Sequence, residues 1–133
     1  MSRSTSQRRA ILSALSTAQG PLTAQEVHQR ACDEMAGLGL ATVYRNLSLL
    51  EASGEIVSIH LPQDPARYEP AGRAHHHHFR CESCATVFEL AGACPVHPLE
   101  GKTLPNGLKV TGHELVLFGL CADCQAEASA NGA

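Results

Sequence analysis

The hydrophobic positions in the first third of the chain recur at helical spacing. In "SQRRAILSALSTA", Ile11, Leu12 and Leu15 fall on one helix face, and the "GPL" that follows ends this segment. Thr23 and Glu26 then match the S/T-x-x-E capping box ahead of "AQEVHQRACDEM". The pattern therefore predicts two short helices separated by a turn.

A third helix is predicted within "ATVYRNLSLLEASG", where Val43, Leu47 and Leu50 share one face and Gly54 gives a C-terminal stop. After Gly54 the period changes to two in "EIVSIHLP", and the turn "PQDPA" leads into "RYEP". Three helices followed by a hairpin is the order of a winged helix-turn-helix, whose last helix enters the DNA major groove. A small helical bundle with a solvated polar face is the alternative interpretation.

The second half of the chain has a strand-like pattern. "HHHHFRC", "TVFEL" and "HELVLFGLC" are rich in β-forming residues, whereas "AGACPVHPLEGKTLPNG" is broken by prolines and glycines and leaves room for only a short helix. The small polar residues at 128–133 are expected to form a flexible tail. Together the two halves predict an α+β protein.

Composition limits the function classes. A chain of 133 residues with 44% hydrophobic residues is long enough for one domain or two very small ones. Its formal charge of −3 gives no overall attraction to nucleic acid, so DNA binding would need a local basic surface, and most of its basic residues precede residue 74. The apolar runs are far shorter than the roughly 18 residues of a membrane span, and no apolar segment follows the polar start. We therefore expect a cytoplasmic protein without membrane contact.

The six cysteines point to metal binding, because a reducing cytosol disfavours disulfides. Cys81 and Cys84 form one C-x-x-C pair, and Cys121 and Cys124 form another. Four thiolates complete the tetrahedral shell of a structural zinc ion and leave no position open for catalysis. A redox dithiol is the alternative, but no thioredoxin-like βαβ unit accompanies the pairs.

Four consecutive histidines precede the first cysteine pair. In a strand His75 and His77 would face one way and His76 and His78 the other, so one tract can serve two sites. A solvated polar strand and a leftover purification tag are the alternatives, although a tag is usually terminal and longer. Cys32 lies apart from these motifs, and we expect it to be a small buried apolar residue.

The combination of "GLATVYRNLSLLEASGEIVS", "RYEP" followed by "HHHHFRCESC", and "GHELVLFGLCADC" resembles the ferric uptake regulator superfamily of metal-dependent repressors. The resemblance runs from about Ser6 to about Glu127. It implies a winged-helix DNA-binding domain at 1–70, a hinge at about 68–74 and an α/β dimerisation domain at 75–127. It further implies a homodimer that binds double-stranded operator DNA, with a regulatory metal closing the hinge and no small-molecule substrate.

Position by position, the resemblance assigns two metal sites, and the exposed start of the predicted third helix offers the DNA-contacting residues. The regulatory metal site falls on Glu69, His76, His78 and Glu89. A second metal site falls on His75, His77 and His113, with Cys94 or His97 as the completing ligand. The side chains expected to contact DNA are Thr42, Tyr44, Arg45 and Asn46. Candidate contacts to the DNA phosphate backbone are Arg8, Arg9 and Arg67.

Two positions depart from the superfamily pattern. A histidine ligand would fall on Leu22 and a carboxylate ligand near Val96, and neither side chain binds metal. His28 is an alternative for the first of these. Cys94, His97 and Glu100 lie close enough in sequence to replace the second, and of these three Cys94 or His97 is favoured.

The donor types favour Fe(II) or Mn(II) at the regulatory site, since carboxylates and imidazoles suit these metals. A zinc-sensing uptake regulator is the alternative, because the histidine tract and the short N-terminus resemble that branch. A zinc hydrolase and a zinc-ribbon adaptor are remote alternatives: no H-E-x-x-H helix is present, and neither function needs the "ATVYR" helix. We therefore expect a regulator and not an enzyme.

Overall fold

The computed structural model describes residues 2–92 and 94–131. It divides into two compact units, and the boundary along the chain lies between Arg73 and Ala74. The elements of the first unit are α1 Arg3–Thr17, β1 Leu22–Thr23, α2 Ala24–Glu34, α3 Leu40–Ala52, β2 Ile56–Ile59 and β3 Arg67–Pro70. Those of the second are β4 His77–Cys81, β5 Val87–Leu90, a 3-10 turn His97–Leu99, β6 Val116–Gly119 and α4 Ala122–Asn131.

The first unit confirms the predicted three helices and hairpin. The capping box of α2 is complete, since the Glu26 amide donates to Thr23 Oγ1 at 3.2 Å and the Thr23 amide donates to Glu26 Oε1 at 2.9 Å. Gly54 follows the C-terminal end of α3 and has a φ of +82°, a conformation that glycine adopts without strain. The sequence pattern did not reveal β1, which pairs with β3 and extends the hairpin to a sheet of order β1-β3-β2.

The core of the first unit is built from the predicted helical stripes. Ile11 on α1, Val27 on α2, and Val43 and Leu47 on α3 are completely buried. Ile56 of β2 closes this core from the sheet side. The arrangement leaves the polar face of α3 in solvent.

The second unit has a much smaller core. Its sheet has the order β5-β4-β6, in which β4 pairs antiparallel with β5 and parallel with β6. Among the described residues of this unit, the buried apolar side chains are Cys81, Val87 and Cys124. Leu117 and Phe118 of the outer strand β6 are about half exposed. So small a core needs further stabilisation, by metal or by a partner surface.

Two details differ from the sequence prediction. Residues 128–131 of the expected flexible tail belong to α4, and 132–133 lie outside the described residues. Strand β4 begins at His77, so His75 and His76 lead into the strand, and His113 precedes β6. None of the helices in the described part of the chain combines the length and hydropathy of a transmembrane segment.

Candidate metal centres and nucleic-acid interface

The two C-x-x-C pairs converge at one end of the second sheet. Cys81 ends β4, Cys84 follows in the turn to β5, and Cys121 and Cys124 lie at the start of α4. The four Sγ atoms lie within 4.8 Å of one another, and Cys84 Sγ is 3.9 Å from Cys121 Sγ. Ligand sulfurs around a tetrahedral zinc are about 3.8 Å apart, because each Zn–S bond is about 2.3 Å long. The geometry therefore fits a closed four-thiolate zinc site.

The backbone prepares this cluster for thiolates. The amides of Cys84 and Cys121 donate to Cys81 Sγ at 3.5 and 3.4 Å. Chiefly through these two bonds, the pKa of the Cys81 thiol is lowered to about 6. Hydrogen bonding with Thr86 also lowers the pKa of Cys84, whereas hydrogen bonding with the Cys121 side chain raises the pKa of Cys124. A four-thiolate site requires Cys124 to lose its proton as well. The positive charge of the bound metal would stabilise the Cys124 thiolate and so favour this deprotonation.

A second cluster joins the histidine tract to the segment after β5. The ligand atoms of His75, His77, Cys94 and His113 lie within 4.8 Å of one another. His77 Nε2 is 2.9 Å from His75 Nε2, 3.1 Å from His113 Nε2 and 3.0 Å from Cys94 Sγ. Burial and the neighbouring His75 and His113 lower the pKa of His77, which favours the neutral, ligating imidazole. Of the two residues expected to complete this site, the structure brings in Cys94.

His97 lies at the edge of this cluster. Its ring packs against His75 with centroids 5.1 Å apart, and its side chain is 60% exposed. Glu100, which the sequence left among three alternatives, places Oε1 2.9 Å from His113 Nδ1 and Oε2 3.4 Å from His97 Nδ1. Only the folded chain shows that this carboxylate faces the far nitrogen of His113.

The other two histidines of the tract lie together, as strand alternation predicts. The rings of His76 and His78 have centroids 5.0 Å apart. Glu89 is the cross-strand neighbour of His78, and its Oε1 is 3.8 Å from His76 Nδ1. His76 Nδ1 lies 2.8 Å from the Ala74 carbonyl. A carbonyl only accepts, so Nδ1 carries the proton and Nε2 is left with the lone pair that binds metal.

The first unit holds the other carboxylate assigned to the regulatory site. Glu69 lies on β3 opposite Val57 and is 3% exposed. Leu22, where the superfamily pattern has a histidine, is buried in the core. His28 directs Nε2 to the Leu38 carbonyl at 2.6 Å, and Cys32 packs against the core beside it. Neither residue is directed to a metal cluster among the described residues.

The start of α3 presents polar side chains to solvent. Tyr44 is 49% exposed, and Arg45 is exposed with one contact of 3.3 Å to Thr42 Oγ1. Asn46 differs from the expectation, because its side chain is buried and donates to the Thr42 carbonyl at 2.9 Å. This amide is used within the helix and is not presented to a base edge.

Arg67 also differs from the expectation. Its side chain is only 4% exposed, with Nη1 2.9 Å from Glu26 Oε1 and Nε 2.5 Å from Asp64 Oδ2. A guanidinium saturated by two carboxylates inside the domain cannot reach a phosphate. Arg8 and Arg9 on α1 are exposed, and Arg8 is paired with Glu55.

Comparison with known proteins gives a consistent result. The model of the ferric uptake regulator family matches residues 1–118. The ferric uptake regulation protein of Campylobacter jejuni is 36% identical over 87 residues, which are 65% of this chain and 55% of that protein. The zinc uptake regulation protein of Mycobacterium tuberculosis is 32% identical over 128 residues, covering 93% of this chain and 95% of that protein.

The fold gives the same answer as the sequence. A solved structure of a zinc-bound manganese uptake regulator superposes with a TM-score of 0.74 at 25% identity, covering 91% of this chain and 89% of that one. Taken with the family match over most of the chain, this places the protein: it belongs to the ferric uptake regulator family.

Proposed function

We propose that this chain is a metal-responsive, DNA-binding transcriptional repressor that acts as a homodimer. One observation carries the proposal: a winged-helix unit with an exposed α3 face is followed directly by a unit whose histidines and cysteines gather into metal-type clusters. This combination of units suits a protein whose DNA binding depends on metal binding. The proposed function requires no small-molecule substrate.

The DNA-binding surface in this proposal is the exposed start of α3. Tyr44 and Arg45 would reach base edges or phosphates, and Thr42 lies on the same turn. The exposed Arg8 and Arg9 of α1 are candidates for backbone contacts. With a formal charge of −3 for the whole chain, this local basic surface would have to supply the attraction.

The regulatory metal in this proposal binds His76, His78 and Glu89 of the second unit. Glu69 joins them on the strength of the superfamily pattern, and it precedes the boundary at Arg73 by a few residues along the chain. A metal that bonds ligands from both units would restrict their relative motion. That restriction is the proposed switch, because two winged helices of a dimer must match successive turns of the duplex.

The four-cysteine cluster would hold structural Zn(II), which stabilises a unit with few buried apolar residues. Dimerisation is proposed through the outer strand β6, where Leu117 and Phe118 are about half exposed. Apolar side chains in an outer strand are typical of an interface.

Three metals are candidates for the sensed ion of the regulatory site, Fe(II) or Mn(II) on one side and Zn(II) on the other. Two imidazoles and two carboxylates favour Fe(II) or Mn(II). The alternative, Zn(II), is supported by the similarity to a zinc uptake regulation protein over 93% of this chain, although a ferric uptake regulation protein matches 90% of it. Competition of Zn(II), Fe(II) and Mn(II) for this site under reducing conditions separates the two.

The test of the function is a gel-shift experiment on tag-free dimer. Duplexes selected from a random pool in the presence of metal serve as probes, and a chelator lane serves as the control. We expect retardation that depends on metal and weakens as salt rises. If selection yields no duplex that the metal-loaded protein retards, the repressor function is wrong.

A further inference from the structure

We propose that Cys94 is the ligand that sets the metal specificity of the cluster formed by His75, His77, Cys94 and His113, and that this site takes Zn(II). The inference deepens the proposed function, on which it rests only for the consequence at DNA. It concerns a position where this chain departs from the superfamily pattern, since the expected carboxylate falls near Val96.

The contacts within the cluster are those of a ligand shell. Nε2 of His113 is 3.1 Å from Nε2 of His77 and 3.3 Å from Sγ of Cys94. Neighbouring nitrogens around a tetrahedral zinc are about 3.3 Å apart, since Zn–N bonds are about 2.0 Å long. Hydrogen bonds alone satisfy such a group poorly, because each neutral imidazole has one donor and one acceptor nitrogen. One cation at the centre satisfies all four groups.

The thiol decides which cation fits. Three imidazoles with a carboxylate would accept several divalent metals, whereas three imidazoles with a thiolate favour Zn(II) over Fe(II) and Mn(II). Four protein ligands also match the tetrahedral preference of zinc, and Mn(II) prefers six oxygen-rich positions. Cys94 therefore selects against the metals favoured at the regulatory site.

Glu100 acts on this site from outside the ligand shell. Its Oε1 is 2.9 Å from His113 Nδ1, at an angle that does not make a hydrogen bond, and that nitrogen is buried without any other hydrogen-bond partner. At this distance a rotation of the carboxylate would supply the missing bond. Glu100 is thus a positioning residue that fixes the His113 tautomer with Nε2 toward the metal.

Occupancy of this site would also order a stretch of backbone. Cys94 and His113 bracket the segment 95–112, which contains the 3-10 turn and a single isolated bridge between Thr103 and Lys109. A metal bound to both ends and to the strand residue His77 holds this segment against β4. Protection of 95–112 from a protease is therefore a readout that needs no DNA.

The test uses full-length protein whose four-cysteine cluster already holds zinc. Co(II) is added as a spectroscopic probe, and then Zn(II) or Mn(II) as competitor. We expect a thiolate-to-cobalt charge-transfer band above that of the starting protein, which Zn(II) abolishes and excess Mn(II) does not. Zinc should also protect 95–112 from proteolysis.

Three variants decide the assignment of Cys94. Cys94→Ala should lose the new cobalt band and the zinc-induced protection. Cys94→Asp should bind metal without the band, and its affinity for Zn(II) should exceed that for Mn(II) by a smaller factor than in the wild type. Cys32→Ala, which removes a thiol outside the cluster, is the matched control and should behave as wild type. Zinc content of the four-cysteine cluster shows that each variant is folded. A Cys94→Ala protein with the wild-type cobalt band and zinc affinity would overturn the proposal.

Glu100 is tested in the same way. Glu100→Ala should weaken zinc binding at this site by about 10- to 100-fold while keeping the cobalt band, and Glu100→Gln should recover part of the loss. Loss of the band itself in Glu100→Ala would make this residue a ligand and refute its positioning role.

These readouts are independent of the repressor assay. If the cobalt band depends on Cys94 but no duplex is retarded, the metal assignment stands and the proposed function fails. If metal-dependent retardation is found while Cys94→Ala binds zinc normally, the function stands and the specificity role of Cys94 fails.

Discussion

The guanidinium of Arg67 lies 2.9 Å from the carboxylate of Glu26, which joins the second hairpin strand to the start of α2. The same guanidinium contacts Asp64, whose side chain is 2% exposed, and the carbonyl of Pro21 at 3.2 Å. A residue that sequence assigned to the DNA surface thus holds the winged helix together. Because Arg67 is buried in the first unit, its contribution is to stability and not to DNA binding.

We expect Arg67→Ala to lower the free energy of unfolding by about 3 kcal/mol, because it leaves the Asp64 carboxylate buried without its cation. Denaturant unfolding of the apoprotein, followed by helical circular dichroism, measures the loss. Arg9→Ala, an exposed site on α1, is the control and should change stability by less than about 0.5 kcal/mol. Equal stability of the two variants would contradict the buried network.

Arg45→Ala should weaken DNA binding without lowering stability. Its side chain is exposed and donates a single long hydrogen bond, of 3.3 Å, to Thr42 Oγ1, so stability should be unchanged. Affinity for a selected duplex should fall by about tenfold or more, and the slope of affinity against salt should become shallower if Arg45 contacts a phosphate. Fluorescence anisotropy at several salt concentrations tests this, and an unchanged affinity would remove Arg45 from the interface.

Removing one thiolate of the four-cysteine cluster should unfold the second unit. Cys84→Ser breaks the tetrahedral shell, and the few buried apolar side chains of this unit cannot replace the zinc. We expect one zinc equivalent less per chain and rapid proteolysis after residue 74, while the first unit resists. Cys32→Ser is the matched control. A protease-resistant second unit without that zinc would show the cluster to be dispensable.

The double variant His76→Ala/His78→Ala should separate sensing from folding. These rings lie together, and neither belongs to the cluster of four thiolates. We expect metal-dependent retardation of DNA to be lost while the structural zinc and the circular dichroism spectrum remain. His60→Ala, an exposed histidine of the first unit, should leave all three unchanged. Should the double variant unfold instead, the site has a structural role.

Phe118→Asp should convert the proposed dimer to a monomer. Phe118 lies on the outer strand β6 and is 45% exposed, so a carboxylate there would be buried in the proposed interface. Sedimentation velocity across a concentration series measures the change. Leu49→Asp places the same charge on an apolar residue of the first unit that is 64% exposed, and it should remain dimeric. A dimeric Phe118→Asp protein would move the interface elsewhere.

The sequence by itself determined what depends on local spacing. The period of Ile11, Val43 and Leu47 predicted buried helix faces, and the pair Thr23 and Glu26 predicted a helix start that the structure reproduces bond for bond. Alternation also predicted that the histidine tract divides into two pairs, because successive side chains of an extended chain point to opposite sides. The four cysteines were predicted as one group because two C-x-x-C pairs make a complete shell.

Only the tertiary structure decided the questions that depend on distant segments meeting. The sequence predicted a surface cation at Arg67, whereas the fold brings Glu26 and Asp64 into contact with its guanidinium. Cys94 and His97 were equivalent candidates by sequence. The folded chain brings Cys94 to His77 and His113, whereas His97 lies at the edge of the cluster with its side chain 60% exposed. Spacing along a chain fixes which side of an element a residue occupies. What that side meets is fixed by how the loops fold back, and loop geometry is the part that local pattern does not specify.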